Sequence, residues 1–190
     1  FLAIVSSHAL VAYLNKDEET KPNGFVIEYH VAGGHNAPPR AKNAIDDNGE
    51  AVYNDLDIPN LEKILASGSP FWLAGGFATP AKVVEALNHG AKGVQVGSVF
   101  ALSNESGFTD ENRSKVLNSL ADPNMRVLTD ASASPTGFPF KVSFAVSDAV
   151  VPPVFPFIDV VVSVTASITG KPTTTLEITV SQFDGFVISQ

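Results

Sequence analysis

Two glycine turns, spaced one helix apart, constrain this chain more than any other feature. Residues 70–108 read as strand, glycine turn, helix, strand, glycine turn, short helix. Phe71, Trp72 and Leu73 form an apolar run of strand type that ends in Ala74, Gly75 and Gly76, where the backbone can turn tightly and approach a ligand. Thr79 is placed to cap the next helix and Pro80 suits its first position. Val83, Val84 and Leu87 recur at helical spacing, and Gly90 is a natural stop. Gly93 to Val96 is the next strand, ended by Gly97 and Ser98. Two strands joined by one helix predict a right-handed parallel unit.

Both strands then finish in a glycine turn at the same, carboxyl, edge of the sheet. In an eight-stranded βα barrel, the loops after the last strands and the start of a short extra helix commonly hold a phosphate. Backbone N–H groups of Gly75, Gly76, Gly97 and Ser98 would face the anion, with the Ser98 hydroxyl as a further donor. The plainer alternative is that these glycines only make tight turns. The expected fold is therefore α/β with a parallel sheet, and a βα barrel is one architecture in which such turns hold a phosphate.

The totals set outer limits. A chain of 190 residues with 44% hydrophobic and 17% charged residues is long and apolar enough for one domain with a sizeable core. A net charge of −8 argues against nucleic acid or an anionic membrane surface as main partner. It leaves room for a local phosphate site, because backbone donors do not enter net charge. The absence of cysteine excludes disulfides, thiolate metal sites and thiol nucleophiles. The apolar stretch from Ala149 to Ile168 is interrupted by prolines and Asp159, so no membrane span is expected. Phe1 to Val5 has no basic region before it and no initiating Met, so no leader is read here. A cytoplasmic protein is the resulting expectation, with its natural N-terminus missing.

Phe1 to Val5 reads as a buried strand, His8 to Leu14 as a helix using Leu10, Val11 and Leu14, and Phe25 to Tyr29 as the next strand. A third glycine turn follows in Ala32, Gly33 and Gly34, with His35 where a side chain would face a ligand. Histidine titrates near neutral pH and suits proton abstraction from a weak carbon acid. The competing reading of His35 is a turn hydrogen bond, and His30 competes for the basic role. His8 and His89 read as structural. Ala41 to Asp57 reads as a solvated acidic loop in which Asp46, Asp47 and Glu50 lack the spacing of a calcium loop. A helix over residues 58–67 carries Leu61, Ile64 and Leu65, and another over residues 108–121 turns Val116 and Leu120 inward. Met125 to Thr129 is extended, and Ala133 to Lys141 is a turn-rich aromatic loop that either covers a pocket or packs on the barrel wall.

From Val142 onward the chain is rich in Val, Ser, Thr, Pro and Phe and poor in charge. Ile158 to Thr169 and Thr173 to Val180 alternate as strands around a turn at Gly170 to Pro172, with a third strand at Phe183 to Ile188. Residues 1–142 are thus read as the βα portion and 143–190 as a β-rich tail without an assigned role.

Four motifs in order carry a resemblance: Ala32 to Arg40 (AGGHNAPPR), Trp72 to Gly76 (WLAGG), Gly93 to Ser98 with Glu105 to Gly107, and Ala133 to Lys141 (ASPTGFPFK). Over residues 1 to about 142 the chain resembles the nitronate monooxygenase family, formerly called 2-nitropropane dioxygenases. The resemblance implies an FMN-dependent TIM barrel, here a partial one without the N-terminal half. It implies His35 as the base that takes the α-proton of a nitroalkane. It places Gly33 and Gly34 near the flavin, and Glu28 in polar contact with it. Gly75, Gly76, Gln95, Val96, Gly97 and Ser98 would bind its phosphate and ribityl chain. The implied partners are a nitronate or nitroalkane and O₂, with no nucleic acid, membrane or metal. Exposed strand edges in a partial barrel would invite a partner, a homo-oligomer included. Two alternatives stand beside this one: an FMN-dependent enoyl-acyl-carrier-protein reductase, which shares the glycine motifs but uses NAD(P)H, and a non-catalytic remnant that binds phosphate ligands or only assembles.

Overall fold

The computed structural model describes residues 1–42, 44–120, 125–135, 137–144, 160–166 and 174–180, with the backbone alone from 143 onward. Its centre is a four-stranded, all-parallel sheet in the order β1 (Leu2–Val5), β2 (Gly24–Glu28), β3 (Phe71–Ala74), β4 (Gly93–Gln95). The helices α1 (His8–Leu14), α2 (Leu61–Leu65) and α3 (Pro80–Asn88) fall between successive strands. This is the α/β alternation expected from the sequence.

Strand alternation divides the sheet into two faces. Val5, Phe25, Ile27, Phe71, Leu73 and Val94 point to one side, where they pack with Val11 of α1, Ile64 of α2 and Ala86 of α3. Phe25 and Phe71 are completely buried here, each contributing about 1.5–3 kcal/mol of hydrophobic stabilisation. The other face carries Ile4, Val26, Trp72 and Gly93 in one row and Glu28, Ala74 and Gln95 in the next.

The helix signals act where the sequence placed them. The Thr79 hydroxyl accepts from Lys82 N–H, Pro80 opens α3, and Gly90 leaves it at φ 84°. Ser7 and Asn60 cap α1 and α2 in the same way.

Burial departs from expectation at several apolar positions. β1 is an edge strand, so Leu2 and Ile4 remain exposed, and only Val5 is fully covered. In α2 the inward residue is Ile64, while Leu65 is exposed, because five residues make little more than one turn and present a narrow face. In α3 the contact falls on Ala86, whose small side chain lets helix and sheet approach, and Val84 points away. Leu10 of α1 is likewise exposed. The helix α5 (Asp110–Ser119) follows the short α4 (Ser98–Ala101); it buries no residue, Val116 is only half-buried, and Leu120 is exposed.

The loop over residues 41–57 is more than a solvated excursion. Ala51 and Asp57 are buried, and Ala51 N–H donates to Thr129 O at 2.8 Å. Asp57 accepts from Arg40 N–H at 2.8 Å and Asn54 N–H at 2.9 Å, closing a capping box on a 3-10 turn at Asp55–Asp57. The loop meets a second, antiparallel sheet of β5 (Arg126–Asp130) and β6 (Phe140–Phe144). The aromatic loop thus ends inside a strand, and residue 142, set as the boundary of the βα portion, lies within β6. Farther on, β7 (Val160–Ala166) and β8 (Thr174–Val180) pair antiparallel with Val160 opposite Val180. The turn at Gly170 to Pro172 and the strand at Phe183 to Ile188 lie outside the described residues.

Candidate active site

Three strands deliver the site residues to one edge. Glu28 pairs in register with Ala74, and Ala74 with Gln95, so the carboxyl ends of β2, β3 and β4 are level. The turns Gly75–Gly76 and Val96–Gly97 therefore begin side by side, with Ser98 opening α4.

The glycines differ in why they are glycine. Gly75 has φ 88°, and a β-carbon there would stand 2.9 Å from Tyr29 O and 3.0 Å from Ala32 N. Packing against the turn after β2 demands glycine at this position. Gly76 is exposed, with φ 79° and only the Val31 side chain nearby, 3.4 Å from a built β-carbon. Gly97 has φ −112°, and among the described residues a β-carbon would meet nothing within 4 Å. Among the described residues, no side chain caps α4. An exposed glycine with open space above it leaves room for a phosphate to approach the start of α4. The space at Gly97 and Ser98 has room for the phosphate end of a flavin nucleotide, with Gln95 beside Ala74 at the strand ends just before it.

The segment after β2 is bound to the β5–β6 hairpin. Asn36 N–H donates to Pro139 O at 2.9 Å, and Lys141 N–H donates to Gly34 O at 3.0 Å. Gly34 adopts φ 76° and, like Gly33, is half-buried. Between these two bonds lies His35, its ring edge-on to Phe140 at 4.7 Å and its Nε2 2.8 Å from Ser134 Oγ. Asn36 is buried, and its side-chain amide donates to Ala32 O at 3.1 Å. Lys141, also buried, donates to the Thr129 hydroxyl and sits over the Tyr53 ring.

A small cleft lies beside this hairpin, lined by Glu28, His30, Tyr53, Arg40 and Asp57. Burial raises the Glu28 carboxyl to about 7, so it carries a proton for much of the time at neutral pH. His30 stacks on Tyr53 with ring centres 4.6 Å apart, and among the described residues its buried Nδ1 has no partner. Burial first, and then Lys141, push the His30 imidazole below its usual range. Tyr53 is pushed up to about 12, mainly by burial, and its hydroxyl donates to Ala37 O at 2.9 Å. Arg40 donates to Ser6 O at 2.7 Å and Leu56 O at 2.6 Å, tying this loop to the end of β1.

The structure thus joins Glu28 to the level strand ends and holds His35 separately, against the hairpin. The sequence reading takes Ser134 only as part of the ASPTGFPFK motif and gives Tyr53 and Asp57 no role. Ser134 lies 99 residues from His35, and no local periodicity connects positions so far apart. Tyr53 and Asp57 sit in a stretch whose polarity reads as solvated. Among the described residues there is no cluster fit to hold a metal and no helix long and apolar enough to cross a membrane.

The family model described as nitronate monooxygenase matches residues 2–134, well over half the chain. The chain belongs to the nitronate monooxygenase family. Its parallel sheet is accordingly four strands of a βα barrel, and its relatives are flavin-dependent oxidoreductases. The match takes in the level strand ends, His35 and Ser134. Among solved structures, a mutant of FabK from Thermotoga maritima is similar at 23% identity and a TM-score of 0.46, covering 66% of this chain and 36% of that one. The chain thus spans about a third of the length of that structure. No curated protein matches significantly.

Proposed function

We propose that this chain is the flavin-binding portion of an FMN-dependent oxidoreductase that acts on nitronates or nitroalkanes with O₂. The observation that carries the proposal is the level row of strand ends from Glu28 to Gln95, with open space over Gly97 at the start of α4, in a chain of the nitronate monooxygenase family. Backbone donors at Gly97 and Ser98 take the phosphate, and Gln95 and Gly76 flank the chain that leads from it. Bound FMN would supply the electron acceptor for oxidation of a nitronate, with O₂ as the final acceptor.

His35 serves as base. A neutral nitroalkane must lose its α-proton before it can give up electrons, whereas a nitronate arrives without it. The ring is held against Phe140 and Ser134, so little orientational freedom is lost on binding. Gly33 and Gly34 let the backbone beside His35 pass close to the ring system without a side chain between. Glu28, protonated in part at neutral pH, offers a polar contact that is both donor and acceptor.

The test is a visible absorbance spectrum of the purified chain, before and after addition of FMN and desalting. A retained flavin spectrum is expected, followed by nitroalkane-dependent oxygen uptake that needs no NAD(P)H. Failure to retain any flavin would overturn the cofactor assignment, and uptake that depends on NAD(P)H would overturn the reaction.

A further inference from the structure

The residues on either side of His35 are fixed by backbone bonds to the hairpin, Gly34 O from Lys141 N–H and Asn36 N–H to Pro139 O. That pairing fixes the Cα of His35 and leaves the ring its side-chain rotations. Phe140 meets the ring edge-on and limits one of them. Ser134 completes the arrangement, with its Oγ 2.8 Å from Nε2. Ser134 is itself held: it is buried, and its carbonyl closes a turn by accepting from Gly137 N–H at 3.0 Å, with Gly137 at φ 78°. A hydroxyl on so short a side chain, in so constrained a turn, has little room to follow a moving ring.

An imidazole with one nitrogen donating keeps the lone pair of the other. We propose that Ser134 is a positioning residue for His35: its hydroxyl accepts Nε2–H, fixes ring and tautomer, and leaves Nδ1 as the atom that takes the substrate proton. This rests on the reading of His35 as base. When the proton arrives at Nδ1, both ring nitrogens carry hydrogen, and the Ser134 oxygen stabilises the cation it already contacts. The arrangement joins two motifs that lie far apart in the chain, AGGH and ASPTG, into one working unit.

The experiment uses the full chain labelled with 15N-histidine. A hydrogen-bonded imidazole N–H signal is expected, assigned to His35 by its loss in His35→Asn and to Nε2 by its couplings to the ring protons. Ser134→Ala should abolish that protected signal without changing the far-ultraviolet circular dichroism, since it keeps the β-carbon and the backbone carbonyl. In the FMN-loaded protein it should lower the ratio of nitroalkane to nitronate turnover about ten-fold, the effect of one lost hydrogen bond to a catalytic group. A signal on Nδ1, or one that survives in Ser134→Ala, would overturn the positioning role whatever the activity. A turnover ratio that falls in His35→Asn but not in Ser134→Ala would overturn it too. If His35→Asn leaves the ratio unchanged, the base assignment fails, while the nitrogen spectrum still decides the contact.

Discussion

The backbone carbonyl of Tyr29 occupies the space a side chain on Gly75 would need, 2.9 Å from a built β-carbon. The turn after β3 and the turn after β2 therefore pack backbone to backbone. Gly75→Ala should destabilise the chain by about 2 kcal/mol or more, summing a left-handed conformation and a clash with main chain that cannot swing away. Gly68→Ala is the control, since Gly68 has φ 75° but nothing within 4 Å. Its cost should stay near 1 kcal/mol. Equal midpoint shifts in urea unfolding would show that close approach contributes nothing.

Gly97 tests the opposite case. Its built β-carbon meets open space, and its φ is negative. Gly97→Val should change stability by less than about 1 kcal/mol and yet reduce FMN retention sharply, because the added methyls would stand where a phosphate approaches. Unaltered flavin binding, read by fluorescence titration, would remove Gly97 from the cofactor site.

Glu28 makes stability depend on pH in a known direction. Its carboxyl titrates at about 7 in the folded chain, above the ordinary 4.5, because burial disfavours the charge. Between those two values the folded state holds a proton that the unfolded state has lost. Stability should therefore fall as pH rises from about 4.5 to about 7 and stay low above. The loss is at most about 3 kcal/mol. Glu28→Gln should flatten this dependence and be more stable than the parent at pH 8. Parallel pH–stability curves for the two proteins would contradict the burial of this group.

Ile64 and Leu65 are neighbours in α2 with opposite environments, the first fully buried and the second 53% exposed. Ile64→Ala should cost about 2–5 kcal/mol. Leu65→Ala should cost less than about 1 kcal/mol. Chemical denaturation of both variants checks the orientation of the helix directly.

His35→Asn should reduce turnover of neutral nitroalkanes by about 10²- to 10⁴-fold while nitronates are turned over at nearly the parental rate. Oxygen-electrode assays on both substrate forms measure this. Equal loss on both would remove the base role.

Local chemistry made much of this protein legible from its sequence alone. Thr79, Pro80 and Gly90 bound α3 because caps, imino acids and glycines act on their immediate neighbours. The strand–helix alternation specified a parallel sheet, since parallel neighbours need a crossover. The glycine turns at Gly75 and Gly97, and the histidine that precedes both of them in the motif order, were visible as strings.

Tertiary structure decided what depends on contacts between distant positions. Whether Leu65 or Ile64 faces inward follows from how α2 sits on the sheet, which its own five residues do not determine. Leu2 and Ile4 read as buried but lie on an edge strand. Asp57 and Tyr53 read as solvated, yet the β5–β6 hairpin and Arg40 draw their loop inward. Gly75 and Gly97 look alike in sequence; only the position of Tyr29 shows that one is glycine for packing, while the other has open space above it. The contact of Ser134 with His35 spans 99 residues, and it exists because the hairpin folds back onto the turn after β2. Such a contact is set by the path of the chain through space, to which neither residue type nor periodicity is sensitive.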